Sequence, residues 1–386
     1  MKASIKHAAC AAVLLMLGCA SDSSQGSGKP GTSGTVLPPP GSVPSTVGTP
    51  MAGAPGMTTT VTPGSGGTST PGAAGAASTL PPVMQAGAGA EPPPVLVTTD
   101  PNDAEVTCYK FLTHGVSMDA PYQVGVANDA YFNFTFMAPW TGMQYARTFK
   151  SIIGNASVLH HWLFFKEPGP VADGMVAPSS GTHPGSELIH GWAPGGENLE
   201  LSADVGFEMP TAGFTLETHY NSADPTATDA SGVEVCVTPH KPTNVASISW
   251  LGSDVISNTT TATGTCVPSG GERIHILGGT PHMHTHGTHM KVEIMRAAGG
   301  VEVLHDMPFD FSTQISYKKD VWLEPGDSIN TTCSWDAPVS FGEGTGDEMC
   351  YFFTLAYPYL ALTDAGLGAV IHGPNSCGVI GTGFGG

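Results

Sequence analysis

The chain is poor in positive charge. It has 13 lysines and arginines against 32 aspartates and glutamates, a formal charge of −19 over 386 residues. A surface of that sign does not suit a polyanion, so nucleic acid is excluded as a partner. No two cysteines stand in a C-x-x-C spacing, which removes the common zinc and thiol-redox motifs. No long stretch carries a clean helical period, which argues against a helical bundle. From Ala20 to Ala90 there is no aromatic residue, and Asp22 and Lys29 are the only charges. A segment of that composition cannot bury enough apolar area to offset the entropy of ordering.

The first residues read as an export signal. Lys2 and Lys6 precede the apolar run Ala8–Gly18, which is too short to span a bilayer as a mature helix. The run ends in "MLGC", which resembles a bacterial lipobox with Cys19 as the lipidated residue and Met16 where leucine is usual. The expectation is a signal peptide over 1–19, then a disordered linker rich in Gly, Pro, Ser and Thr over 20–95. The protein would then be exported and lipid-anchored at the outer membrane or cell surface of a bacterium, touching the membrane only through that anchor. An ordinary cleavable signal is the alternative. Roughly 290 residues remain, enough for two domains of ordinary size.

Cys108, Cys236, Cys266, Cys333, Cys350 and Cys377 follow the leader. An even count in an exported chain implies disulfides, though spacing alone does not choose the partners. The folded part reads as short strands. They are Tyr131–Trp140, His160–Lys166, Phe214–Tyr220, Ala246–Gly252, Arg273–Gly279, Met290–Arg296 and Tyr351–Pro358. Leu323–Ile329, "LEPGDSI", reads as a turn feeding a strand. Many short strands separated by Gly, Pro, Asn and Asp indicate an all-β fold of sandwiches or jelly rolls.

Histidine is concentrated in "TPHMHTHGTHM", Thr280–Met290, which holds His282, His284, His286 and His289. In a strand, residues i and i+2 share a face, so His284 and His286 can point at one ion. His282 shares that face by parity and His289 is offset. A solvated His-rich loop is the bland alternative. The neighbours His160 and His161 diverge in a regular strand, so both reach one metal only if the backbone bends or one ring uses the nitrogen nearer its stem. By themselves they are as easily a structural pair, and His219 in "ETHY" a satisfied core histidine. His114, His183, His190, His240, His275, His305 and His372 are isolated and read as structural or surface residues. Met349 in "DEMC" reads as core unless its thioether serves as a soft ligand, which selects copper over zinc.

Taken in order, "VLHHWLFF", "HGWAPGG", "VGFEM", "LETHY", "IHILGGTPHMHTHGTHMKV" and "GDEMCYFFTLAYP" resemble the copper type II, ascorbate-dependent monooxygenases. That family includes dopamine β-monooxygenase and peptidylglycine α-hydroxylating monooxygenase. The resemblance implies two successive jelly-roll β-sandwich domains, over 96–240 and 241–386, with two coppers per chain. His160, His161 and His219 would hold the electron-transfer copper. His284, His286 and Met349 would hold the oxygen-activating copper and act as the catalytic set. His282 and His289 are left over. The implied disulfides are Cys108–Cys236, Cys266–Cys377 and Cys333–Cys350. The implied reaction inserts one atom of O2 into an activated C–H bond of a small substrate, with two electrons from ascorbate or a similar reductant.

Two positions depart from the peptide-hydroxylating pattern. Those members carry an arginine at the position of His282 and a tyrosine at that of Phe353, so a C-terminal glycine peptide is not the expected substrate. Other function classes fit part of the pattern. A non-catalytic copper-binding lipoprotein would use the same six ligands. A zinc hydrolase would need a nearby carboxylate as base and an open metal position, and would leave Met349 without a role.

Overall fold

The structure, a computed structural model, describes residues 96–100, 103–115, 120–181, 183–363 and 376–379. The signal-like leader, Cys19, the 20–95 linker and His372 lie outside the described residues. Among the described residues the fold is all-β, with 23 strands numbered β1 to β23 in chain order and no helix. All of them fall in one compact unit.

Two sheets form from the first half of the described chain. One has the order β7 (Met175–Pro178), β4 (Ala127–Met137), β11 (Gly213–Ser222), β6 (Leu159–Lys166), β8 (Glu187–Trp192). The other is seven-stranded and includes β2 (Asp103–Leu112), β13 (Gly232–Thr238), β5 (Gln144–Ile152) and β10 (Val205–Met209). One apolar core draws on both. Phe111, Phe149 and Phe207 come from the larger sheet; Phe134, Phe164 and Phe214 come from the smaller. Phe164 and Phe214 stack with ring centroids 5.4 Å apart, a contact that adds to area burial.

The second half forms two more sheets. One runs β20 (Tyr317–Leu323), β17 (Ile274–His282), β22 (Tyr351–Tyr357), β15 (Ser247–Gly252), β23 (Ser376–Cys377). The other runs β16 (Thr259–Cys266), β21 (Ser328–Val339), β18 (Gly287–Met295), β19 (Val301–Pro308). Strand β18 shows why the sequence folds this way. Met290, Val292 and Ile294 are buried while Lys291 and Glu293 between them are not, the period-2 pattern of a half-buried strand. Ile248, Trp250, Met349 and Tyr351 of this half join the apolar cluster of the first, so the halves share a packed boundary.

All seven segments read as strands are strands, with ends shifted by a few residues. Three disulfides link Cys108–Cys236, Cys266–Cys377 and Cys333–Cys350, with Cα separations of 3.9, 4.9 and 5.7 Å. These are the pairs that the resemblance implies. The last ties β21 to the residue beside Met349.

Candidate metal centres

His161 and His219 face each other rung for rung on β6 and β11, and Tyr131 on β4 extends the same row. Opposed residues on neighbouring strands project on one face, which brings the two imidazoles together. The ladder then slips. His219 pairs with His161, but Tyr220 pairs with Leu159, leaving His160 as the extra residue of a bulge. A bulge re-aims a side chain, and here it turns His160 toward its own neighbour. Nδ1 of His160 and Nδ1 of His161 lie 3.1 Å apart. Donor atoms of His160, His161 and His219 all fall within 4.8 Å of one another.

The rest of this cluster is built to hold the rings. His219 Nε2 lies 3.1 Å from Asp129 Oδ1, and Nδ1 of the same ring is buried without a partner. Tyr131 stacks flat on His219 with centroids 4.1 Å apart. Burial pushes His219 down to about 4, and the neighbouring His160 adds to the effect. Burial also holds His161 well below the ordinary imidazole range, helped by the charges of His219 and His160. Neutral rings with bare nitrogens converging on one point suit a metal cation. The carboxylate on His219 is the usual outer partner of such a ring.

The second set is assembled differently from the strand alternation expected of "HTH". Strand β17 stops at His282 and β18 starts at Gly287, so His284, Thr285 and His286 form the turn between them. Gly287 N–H donates to the His284 carbonyl at 3.1 Å across that turn. The two imidazoles are therefore set by turn geometry and by one carboxylate. Glu348, fully buried, accepts the His284 amide on Oε2 at 2.8 Å and the His286 amide on Oε1 at 2.7 Å. It also accepts Trp335 Nε1 at 2.8 Å. Because Glu348 precedes Met349, the same residue fixes the segment that carries the thioether against the histidine turn. His284 Nδ1 faces the Asp347 carbonyl at 3.1 Å and His286 Nδ1 faces Asp336 Oδ1 at 2.8 Å. An acceptor at Nδ1 places the proton there and leaves Nε2 bare for a ligand.

Tyr131, His161 and Glu217 of the first half and His282, His284 and Met349 of the second line one cavity of about 750 Å³. His161 and His282 have ring centroids 6.3 Å apart across it. Phe311 stacks on His160 at 4.6 Å and meets His284 edge-on at 6.4 Å. His282 Nδ1 lies 2.8 Å from Gln314 Oε1, and its ring stacks on Phe353 at 5.4 Å. Burial pushes His282 down to about 3, with His284's charge adding. His289 stands apart, its Nε2 3.1 Å from Asp306 Oδ1 on a partly exposed face.

Sequence reasoning passed over Asp129, Glu348, Gln314 and Phe311. Glu348 offered one signal, an acid directly before Met349 and a buried strand. The other three act across the fold and left no local trace.

A sequence profile of the copper type II ascorbate-dependent monooxygenase, C-terminal domain, matches residues 252–365, which contain His284, His286 and Met349. DBH-like monooxygenase protein 2 of Mus musculus is 25% identical over 227 residues, covering 50% of this chain and 36% of the relative. DBH-like monooxygenase protein 1 of Gallus gallus is 26% identical over 212 residues, covering 46% and 34%. The chain spans about a third of the length of these curated relatives. A solved chain titled "Structure of PNGF-II in P21 space group" covers 70% of this chain at 7% identity and a TM-score of 0.20, too slight to bear on the fold. Residues 252–365 are thus similar to the C-terminal domain of the copper type II ascorbate-dependent monooxygenases.

Proposed function

We propose that the chain hydroxylates an activated C–H bond of a small exported or extracellular substrate, using O2 and two electrons from ascorbate or a similar reductant. The observation that carries this is a three-imidazole cluster, His160, His161 and His219, whose His161 lines the same cavity as His284 and Met349. On this reading 96–240 and 241–386 are successive jelly-roll domains with one copper each. His160, His161 and His219 would hold the first, and His284, His286 and Met349 the second. A thioether beside two imidazoles favours copper over zinc. When bound, copper supplies the one-electron chemistry with O2 that the side chains lack.

The chain's own residues do the positioning. Asp129 orients the His219 ring, and Glu348 fixes the turn that presents His284 and His286. Trp250, Phe353 and Leu163 give the cavity apolar walls that exclude water and hold a substrate beside the Met349 side. Neutral His282 and Phe353 stand where peptide-hydroxylating relatives place an arginine and a tyrosine, which supports a substrate other than a C-terminal glycine peptide. Glu348 is a poor base for a zinc hydrolase, because both its oxygens are committed to N–H donors. Export and a lipid anchor at Cys19, with the 20–95 segment as tether, complete the reading.

The test is oxygen uptake by the copper-loaded protein against a panel of small metabolites, with product mass read in parallel. Uptake that needs copper, reductant and one substrate together supports the proposal. Uptake that no substrate alters points to a non-catalytic copper-binding lipoprotein. A protein that isolates with zinc points to the hydrolase.

A further inference from the structure

A hydrogen-bonded path joins the two donor sets outside the cavity. His219 Nε2 lies 3.1 Å from Asp129 Oδ1. The same oxygen accepts Thr345 Oγ1 at 2.6 Å. The Thr345 carbonyl in turn accepts Thr285 Oγ1 at 3.0 Å. Thr285 is the middle residue of the turn whose flanking amides Glu348 holds. The path thus runs from β11, through Asp129 on β4, into the loop before Met349, and on to the turn that carries His284 and His286.

Two further observations mark this path. Asp129 has a φ of 48°, left-handed backbone that a residue with a Cβ seldom adopts and that surrounding structure must hold in place. The Thr345 loop also reaches the surroundings of His219 at a second point. Tyr131 Oη donates to the Glu343 carbonyl at 3.2 Å while its ring stacks on His219. The far end of that loop supplies Glu348 and Met349.

We propose that Asp129 and Thr345 are positioning residues that couple occupancy of the first metal centre to the affinity of the second. This rests on the two-centre reading given above. A cation on the unpartnered Nδ1 of His219 draws electron density from the ring and makes its Nε2–H a stronger donor to Asp129. That bond fixes the position of the Asp129 carboxylate, which places the shared Oδ1 for Thr345, and Thr345 holds the turn. Coupling between sites is reciprocal and is commonly between about five- and 150-fold; a path through one shared carboxylate oxygen belongs near the lower end, on the order of ten-fold.

The experiment is an anaerobic Cu(I) titration of the full chain against a chromophoric chelator. The second centre is identified as the equivalent lost in Met349→Ile. The first centre is emptied by His160→Ala with His161→Ala, which leaves His219 and Asp129 in place. With Thr345 present, emptying the first centre weakens Cu(I) binding at the second about ten-fold. In Thr345→Val, and independently in Asp129→Asn, the same change shifts it less than about two-fold, while Thr345→Ser restores the full effect. An unchanged thermal midpoint in Thr345→Ser and Thr345→Val shows that the fold is intact. Equal weakening with and without the Thr345 hydroxyl overturns the coupling and leaves the two-centre reading standing. A parent chain that binds fewer than two equivalents overturns both.

Discussion

His160 Nδ1 and His161 Nδ1 face each other at 3.1 Å, although the two residues are neighbours in one strand. Regular pleating would send them to opposite faces. The bulge opposite His219 and Tyr220 removes that constraint. Without a metal, one proton between the two nitrogens makes a hydrogen bond; a shared cation would take its place.

Replacing His219 with alanine removes the third nitrogen from this cluster. Copper content should fall from two per chain to one, read by elemental analysis of desalted protein. The remaining metal should keep a sulfur neighbour in X-ray absorption spectra, because Met349 is untouched. A variant that retained both coppers would exclude His219 as a ligand.

Glu348→Ala leaves several buried N–H donors without an acceptor, among them the His284 amide and Trp335 Nε1. Each such orphan costs about 1–3 kcal/mol, so a total of about 3 kcal/mol or more is expected in urea unfolding of the metal-free protein. Glu348→Gln keeps one oxygen acceptor and should fall between alanine and parent. Near-parent stability of the alanine variant would mean that the turn is held by something else.

Met349→Ile keeps size and apolarity and removes the sulfur. As a core change of similar volume it should cost under about 1.5 kcal/mol. If the thioether is a ligand, turnover should collapse while the His160, His161 and His219 centre stays loaded. Wild-type turnover in Met349→Ile, measured with any accepted substrate, would remove the most specific point of the assignment.

Glu343 lines the cavity with its carboxyl pushed up to about 8, first by burial and then by the charges of Glu217, Asp254 and Asp347. An unfolded glutamate titrates near ~4.3. The folded state therefore holds this proton more tightly, and stability declines as pH rises from that value toward about 8, then levels off. Glu343→Gln removes the penalty. Its Tm should match the parent near pH ~4 and exceed it by a few degrees above pH ~8. An equal offset at both pH values would show that the glutamine acts through packing instead.

How much of this was legible beforehand differs by element. Strands such as β6, β11, β17 and β22 announce themselves through runs of aromatic and β-branched residues. β16, "TTTATGTC", does not, because its buried positions are the small Ala262, Gly264 and Cys266 and threonine fills the rest. The "HTH" spacing is ambiguous in principle, since residues i and i+2 converge in a strand and also in a tight turn. Only the placement of Glu348 decides for the turn. Whether His160 and His161 could share a metal depended on a bulge, and a bulge is a property of the pairing with β11 rather than of the residues themselves. Asp129 and Gln314 act across 90 and 32 residues of chain, distances at which a single sequence carries no pattern.

The most direct test of the account is isotopic. Copper-loaded protein, ascorbate and an accepted substrate are incubated under 18O2, and the product is weighed by mass spectrometry. The account predicts one labelled oxygen per product molecule, absent without copper and lost in Met349→Ile. Oxygen reduced to peroxide with no labelled product from any substrate, or a product carrying oxygen from water, would contradict it.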